Sequence, residues 1–296
     1  MVRILDSAAG AKFPHRAGPG VRESRREKEN DAMHKIALVT LTGLLVALPA
    51  AAGVTYTSTM HTEGARGADM TDMTVKVQVS GDKARGDIEQ SKSPFFGAGS
   101  YEITRDGGGT ILLVNPKEKT YFDATSMLRG AMGAMSAMGG MMKMEVSDLA
   151  IEKLLEEDGG TVAGLPTTHY RFKTKYTMAM KMAFVNNVSH IETVEDMWAT
   201  TALSEAGMGL TQGRGMKFGN ESFDKLIEAE KGKMKGFPLK VVSLTTTESK
   251  GKVDKRTMTR EVVDLKTGVT VPDSAFTIPA GYEERSPMPG FPGSNN

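Results

Sequence analysis

Met73-Thr74-Val75-Lys76-Val77-Gln78-Val79 alternates apolar and polar side chains without a break. Successive residues of a strand point to opposite faces, so the methionine and the valines share one side while Thr74, Lys76 and Gln78 take the other. The stretch predicts a half-buried antiparallel strand. Ser80-Gly81-Asp82-Lys83 follows with turn chemistry, and Ala84 to Glu89 is the expected hairpin partner.

Working outward, further strands are expected at Val54–Thr62, Tyr101–Arg105, Thr110–Val114 and Thr120–Asp123. Gly107-Gly108-Gly109 and Asn115-Pro116-Lys117-Glu118 separate them, so the first half predicts a β-meander. The three glycines lack the Lys-Ser/Thr and helix start of a phosphate cradle and are expected to be a turn. In the second half Thr167 to Met182 alternates again, with Met178, Met180 and Met182 on one face, and Ser189 to Thr200 carries a strand through Trp198. Phe223, Leu226, Ile227 and Met234 stand at helical spacing within Asn220 to Lys235. Phe237 to Glu248 and Lys255 to Leu265 form a long hairpin about Ser249-Lys250-Gly251-Lys252.

The middle differs in character. Ser126 to Met144 is rich in Met, Ala and Gly, and Met127, Met132, Met135, Met138, Met141, Met142 and Met144 recur mostly at intervals of three or four. That spacing puts several thioethers on one helical stripe. Gly130, Gly133, Gly139 and Gly140 each weaken such a helix by about 1 kcal/mol relative to alanine, which predicts a movable lid. Ile151 to Glu157 reads as a short amphipathic helix ended by Gly159-Gly160. Residues 124–158 together are therefore expected to be a Met-rich helical insert.

Met33 to Gly53 runs MHKIALVTLTGLLVALPAAAG, the order of basic start, apolar run and small-residue end that marks a secretory signal peptide. Cleavage is expected after Ala52, leaving no membrane span and a periplasmic or secreted protein. Residues 1–32 mix arginines with glutamates, predict disorder, and suggest that translation starts at Met33. Residues 285–296 predict a disordered tail, and 53–284 a single domain.

The 296 residues carry a formal charge of +1, which gives no global pull toward nucleic acid or anionic lipid. With no cysteine the exported chain has neither disulfides nor a lipid-attachment site. His61, His169 and His190 lie in no metal spacing and are expected on strand surfaces, and no G-x-S-x-G elbow occurs. The expectation is no enzyme and no cofactor.

Pro272-Asp273-Ser274-Ala275-Phe276-Thr277-Ile278-Pro279-Ala280-Gly281-Tyr282, Lys235-Gly236-Phe237-Pro238-Leu239 and the Val162-Ala163-Gly164…Tyr170 opening of the strand before Trp198 resemble a family of exported bacterial proteins known only as a domain of unknown function. In layout that family is similar to the periplasmic lipoprotein carrier LolA and its relatives LppX and RseB. The resemblance implies a β-rich α+β fold, in which a curved antiparallel sheet forms an open half-barrel covered by helices and able to hold acyl chains. The Met-rich insert departs from the LolA pattern.

These readings combine into a non-catalytic binding protein for a lipid or other apolar ligand. Adaptable thioethers of Met132, Met135, Met138, Met141 and Met142 would form the lid, and Trp198 a wall. The partners expected are lipid or lipoprotein acyl chains, or a protein of the envelope if the core is filled and the domain is structural. Thioethers are also soft ligands for Cu(I), which keeps methionine-based copper binding as a further alternative.

Overall fold

The computed structural model describes residues 53–64, 71–93, 97–137, 142–182, 185–203 and 221–285. The expected preface, signal peptide and tail (beyond Arg285) lie outside them. The described residues fall within one compact unit, Ala47–Asn296.

The elements are β1 (Gly53–Glu63), β2 (Met73–Ser80), β3 (Lys83–Ser91), β4 (Tyr101–Thr104), β5 (Leu112–Asn115), β6 (Thr120–Asp123), α1 (Ala124–Ala137), β7 (Met142–Val162), β8 (Leu165–Met182), β9 (Val185–Thr200), α2 (Glu221–Gly232), β10 (Phe237–Ser249), β11 (Lys252–Val269), a 3-10 turn at Asp273–Phe276, and β12 (Glu283–Glu284). The strands form one 12-stranded sheet in the order β12-β6-β5-β4-β3-β2-β1-β11-β10-β9-β8-β7. Short β12 runs parallel to β6; the other pairs are antiparallel. No described helix is long and apolar enough to cross a membrane.

Chain connectivity dictates the curvature. β6 and β7 are separated only by α1 and a short link, yet ten ladder spacings lie between them, about 48 Å across a flat sheet. The 14 residues of α1 reach about 21 Å, and the five chain steps from Ala137 to Met142 add at most roughly 18 Å. A flat sheet cannot be spanned by that connection. The sheet is accordingly one large curved, open sheet with few helices.

Alternation along the strands divides the core between the two faces. The face bearing Val75, Val77 and Val79, here the inner face, also carries Tyr56, Tyr170, Phe172, Met197, Leu239 and Val241 in one buried cluster. On the outer face the last segment of the chain lies across the meander. Phe276, 1 % exposed, packs with Tyr101, Ile103 and Val114. Arg105 Nε donates to the Phe276 carbonyl at 2.7 Å, and Arg85 stacks over the Tyr101 ring at 3.8 Å.

Two sequence expectations for the middle are corrected. Ile151 to Glu157 is not helical but lies in the 21-residue strand β7, and Met142 and Met144, expected in the Met-rich helix, are strand residues. Of the described residues in 124–158, Ala124–Ala137 form a 14-residue helix and those from Met142 onward are strand, not a helical insert. The helix-like spacing of Ile151, Leu154 and Leu155 arises from a bulge between Lys153 and Leu155. Ile151 packs on the inner core, while Leu154, the extra residue, is 44 % exposed.

Candidate functional site

α2 crosses the inner face from the β7 edge, and each end is tied down. Ser222 Oγ accepts the edge-strand amide of Val146 at 3.0 Å. Leu226 is buried, and Thr174 Oγ1 donates to Glu230 Oε1 at 2.9 Å. Just past the helix, Lys233 Nζ sits 2.6 Å from Glu195 Oε2 and also pairs with Glu230, with its ammonium 5.7 Å from the centre of the Phe172 ring. Only 6 % of the Lys233 side chain is exposed. Burial pulls the ammonium toward its neutral form, but the Glu195 and Glu230 charges outweigh that, so its pKa stands above the ordinary lysine value.

Beside this anchor, α2 and the sheet border a half-open cavity of about 300 Å³. Its apolar surface comes from Met60 on β1, Met197 on β9, Val241 on β10, Met258 on β11 and Ile227 on α2. Glu195, Glu230, Lys231, Lys233 and Arg260 supply the charged part of the lining. An apolar surface adjoining charged groups suits an amphiphile better than a wholly polar solute.

None of the residues expected from sequence is among the described residues that line this cavity. Met138 and Met141 lie outside the described residues. Met132 and Met135 stand in α1 and Met142 opens β7, with side chains outside the description. Trp198 does not line the cavity: it alternates with Met197 and so occupies the outer face. There it stacks on His169 with ring centroids 4.4 Å apart and planes 2° from parallel.

His169, expected on a strand surface, lies on the outer face and is half-buried, its side chain 12 % exposed. It lies 2.7 Å from Asp196 Oδ1 through Nε2 and 3.3 Å from Glu157 Oε1 through Nδ1. Arg171 Nε donates to the same Asp196 oxygen at 2.8 Å. The cluster staples β7, β8 and β9 together. Among the described residues no three His, Cys, Asp or Glu side chains gather as a metal-binding group.

The inner face also holds a titratable group away from this cavity. Glu102 on β4 lies along Gly86, where a Cβ would stand 3.0 Å from Glu102 Oε1. Burial pushes the Glu102 carboxyl up to about 8, so it is largely protonated at neutral pH.

A profile of DUF4412, a domain of unknown function, matches residues 68–282. The chain belongs to this family. The DUF4412 region runs from just before β2 to just before β12 and so contains α2, most of the cavity wall and the C-terminal segment on the outer face. β1 lies outside the match yet sits inside the sheet between β2 and β11 and contributes Met60 to the cavity. No curated protein matches the chain.

Sequence reasoning missed Met60, Met197, Met258 and Val241 because each is a single residue on a different strand. Only the sheet register brings them together. Alternation marks Met197 as facing opposite to Trp198, but Met258 shares its strand face with Arg256 and Arg260, so no local apolar pattern singles it out.

Proposed function

We propose that this DUF4412 protein is an exported, non-catalytic carrier that binds a lipid or other apolar chain in the cavity between α2 and the inner face. The observation that carries the reading is the cavity of about 300 Å³ whose apolar lining of three methionines, Ile227 and Val241 adjoins the charged Glu195, Glu230, Lys231, Lys233 and Arg260. Ligand pockets span about 300–1,000 Å³, so this one suits a single acyl chain rather than a bulky polycyclic molecule. Thioether side chains repack around chains of varied shape at little energetic cost. The signal-like Met33 to Gly53 segment supports an envelope location. A curved sheet with a helix over one face also accords with the half-barrel layout of the LolA-like carriers, in which α2 rather than a Met-rich α1 would serve as the cover.

Titration with an environment-sensitive fluorescent fatty acid tests the reading. Saturable binding that is displaced by unlabelled fatty acid, and is lost when Val241→Trp fills the cavity, supports it. Equal binding by the wild type and by folded Val241→Trp would sink it. For export, N-terminal sequencing of the envelope-fraction protein should begin at Gly53.

A further inference from the structure

The β7–β8 register produces a methionine ladder that no linear reading shows. At three consecutive alternate positions the cross-strand pairs are Met142 with Met182, Met144 with Met180, and Val146 with Met178. Five of these six positions are methionine in a chain with 21 methionines among 296 residues. Composition alone would put a methionine at fewer than one of six. Packing alone does not account for the choice either, since strands favour β-branched and aromatic residues. Elsewhere the inner face meets its packing needs with Val75, Val77, Val79, Leu239 and Val241. Nor is the ladder deeply buried: Met180 is 37 % exposed, and Met144 and Met178 are half-buried.

We propose that Met144, Met178 and Met180 form a thioether site for a monovalent soft metal ion, Cu(I) or its analogue Ag(I). Directly opposed residues of an antiparallel pair have Cβ atoms about 4.5–5.5 Å apart, and diagonal neighbours about 7–8 Å. Met144 and Met180 are directly opposed, and Met178 is the diagonal neighbour of Met144. Each side chain turns about three bonds before its methyl group, so three sulfurs anchored at those spacings can converge on one ion while the backbone stays fixed. Thioethers select Cu(I) over the harder divalent ions, and the absence of cysteine leaves methionine as the softest ligand in the chain. The site lies outside the α2 cavity, whose methionines are Met60, Met197 and Met258, so it stands independently of the carrier reading.

Methyl NMR of the full chain labelled with [methyl-13C]methionine, titrated with silver(I) nitrate, tests the site, with anaerobic Cu(I) competition against a chromophoric chelator as the second readout. The methyl signals of Met144, Met178 and Met180, assigned through single Met→Leu variants, should shift together and saturate at one equivalent. Met144→Leu/Met180→Leu, in which volume is conserved, should keep the melting temperature. It should weaken Ag(I) binding by more than the about 10–100-fold typical of losing a mere outer-shell partner. Met197→Leu in the cavity should bind as the wild type does. Absence of saturable Ag(I) binding, or shifts confined to other methionines, overturns the proposal. So does an unchanged affinity in the single variants, which keeps the test decisive if the double variant fails to fold.

Discussion

Glu102 is the residue through which pH should act most directly on the fold. Its carboxyl has an ordinary value of 4.5, raised to about 8 by burial. Between those values the folded protein holds a proton that the unfolded chain has released, so stability is fully present below the lower value. It falls as pH rises, by up to about 1.4 kcal/mol per pH unit, and levels off above the upper one. Urea denaturation should therefore find the wild type losing stability from pH 5 to 8 and Glu102→Gln losing much less; parallel curves would contradict the assignment. Gly236 supports a different prediction. At φ 87° a side chain is strained, and a Cβ there would stand 2.4 Å from the Thr200 carbonyl oxygen. Gly236→Ala should cost at least about 2 kcal/mol, read as a lower denaturation midpoint at unchanged slope. This glycine belongs to the Lys235-Gly236-Phe237-Pro238-Leu239 motif visible in sequence, and the contact with Thr200 gives that motif its physical reason.

At the scale of the element, α2 depends on one buried cation. Lys233→Met would leave Glu195 and Glu230 facing each other without their shared partner. Removing one member of a buried ion group costs about 3–5 kcal/mol. Hydrogen exchange should then show 221–232 losing protection before the sheet does; uniform loss would mean that the helix is not a separately anchored cover. On the outer face, Phe276→Ala should cost about 3–5 kcal/mol, measured by denaturant unfolding, because its ring fills the space over Tyr101, Ile103 and Val114. Element boundaries were largely legible wherever period-two alternation was clean. β2 and β6 match the reading, and the Lys250-Gly251 turn has both φ values positive, as a tight hairpin requires. β7 was not legible. Its bulges break the alternation at Ser147, Lys153 and Asp158, so Ile151, Leu154 and Leu155 imitate a helical face.

At the scale of the molecule, the sequence carried the antiparallel, β-rich character but not the site. Strand identity is local, whereas the cavity depends on β1, α2, β9, β10 and β11 being brought side by side. The short connection between β6 and β7 bends the sheet, and the Met-rich run that drew attention in sequence is divided between a helix and an edge hairpin. Carrier function then rests on an amphipathic cavity beneath α2, which makes bound ligand the decisive observable. Native mass spectrometry of the full chain purified from an envelope-bearing bacterium, followed by lipid extraction, tests this most directly. The account predicts a ligand-bound mass and an acyl lipid in the extract, both absent from folded Val241→Trp. A ligand-free wild type, or the same lipid carried by the filled-cavity variant, would contradict it.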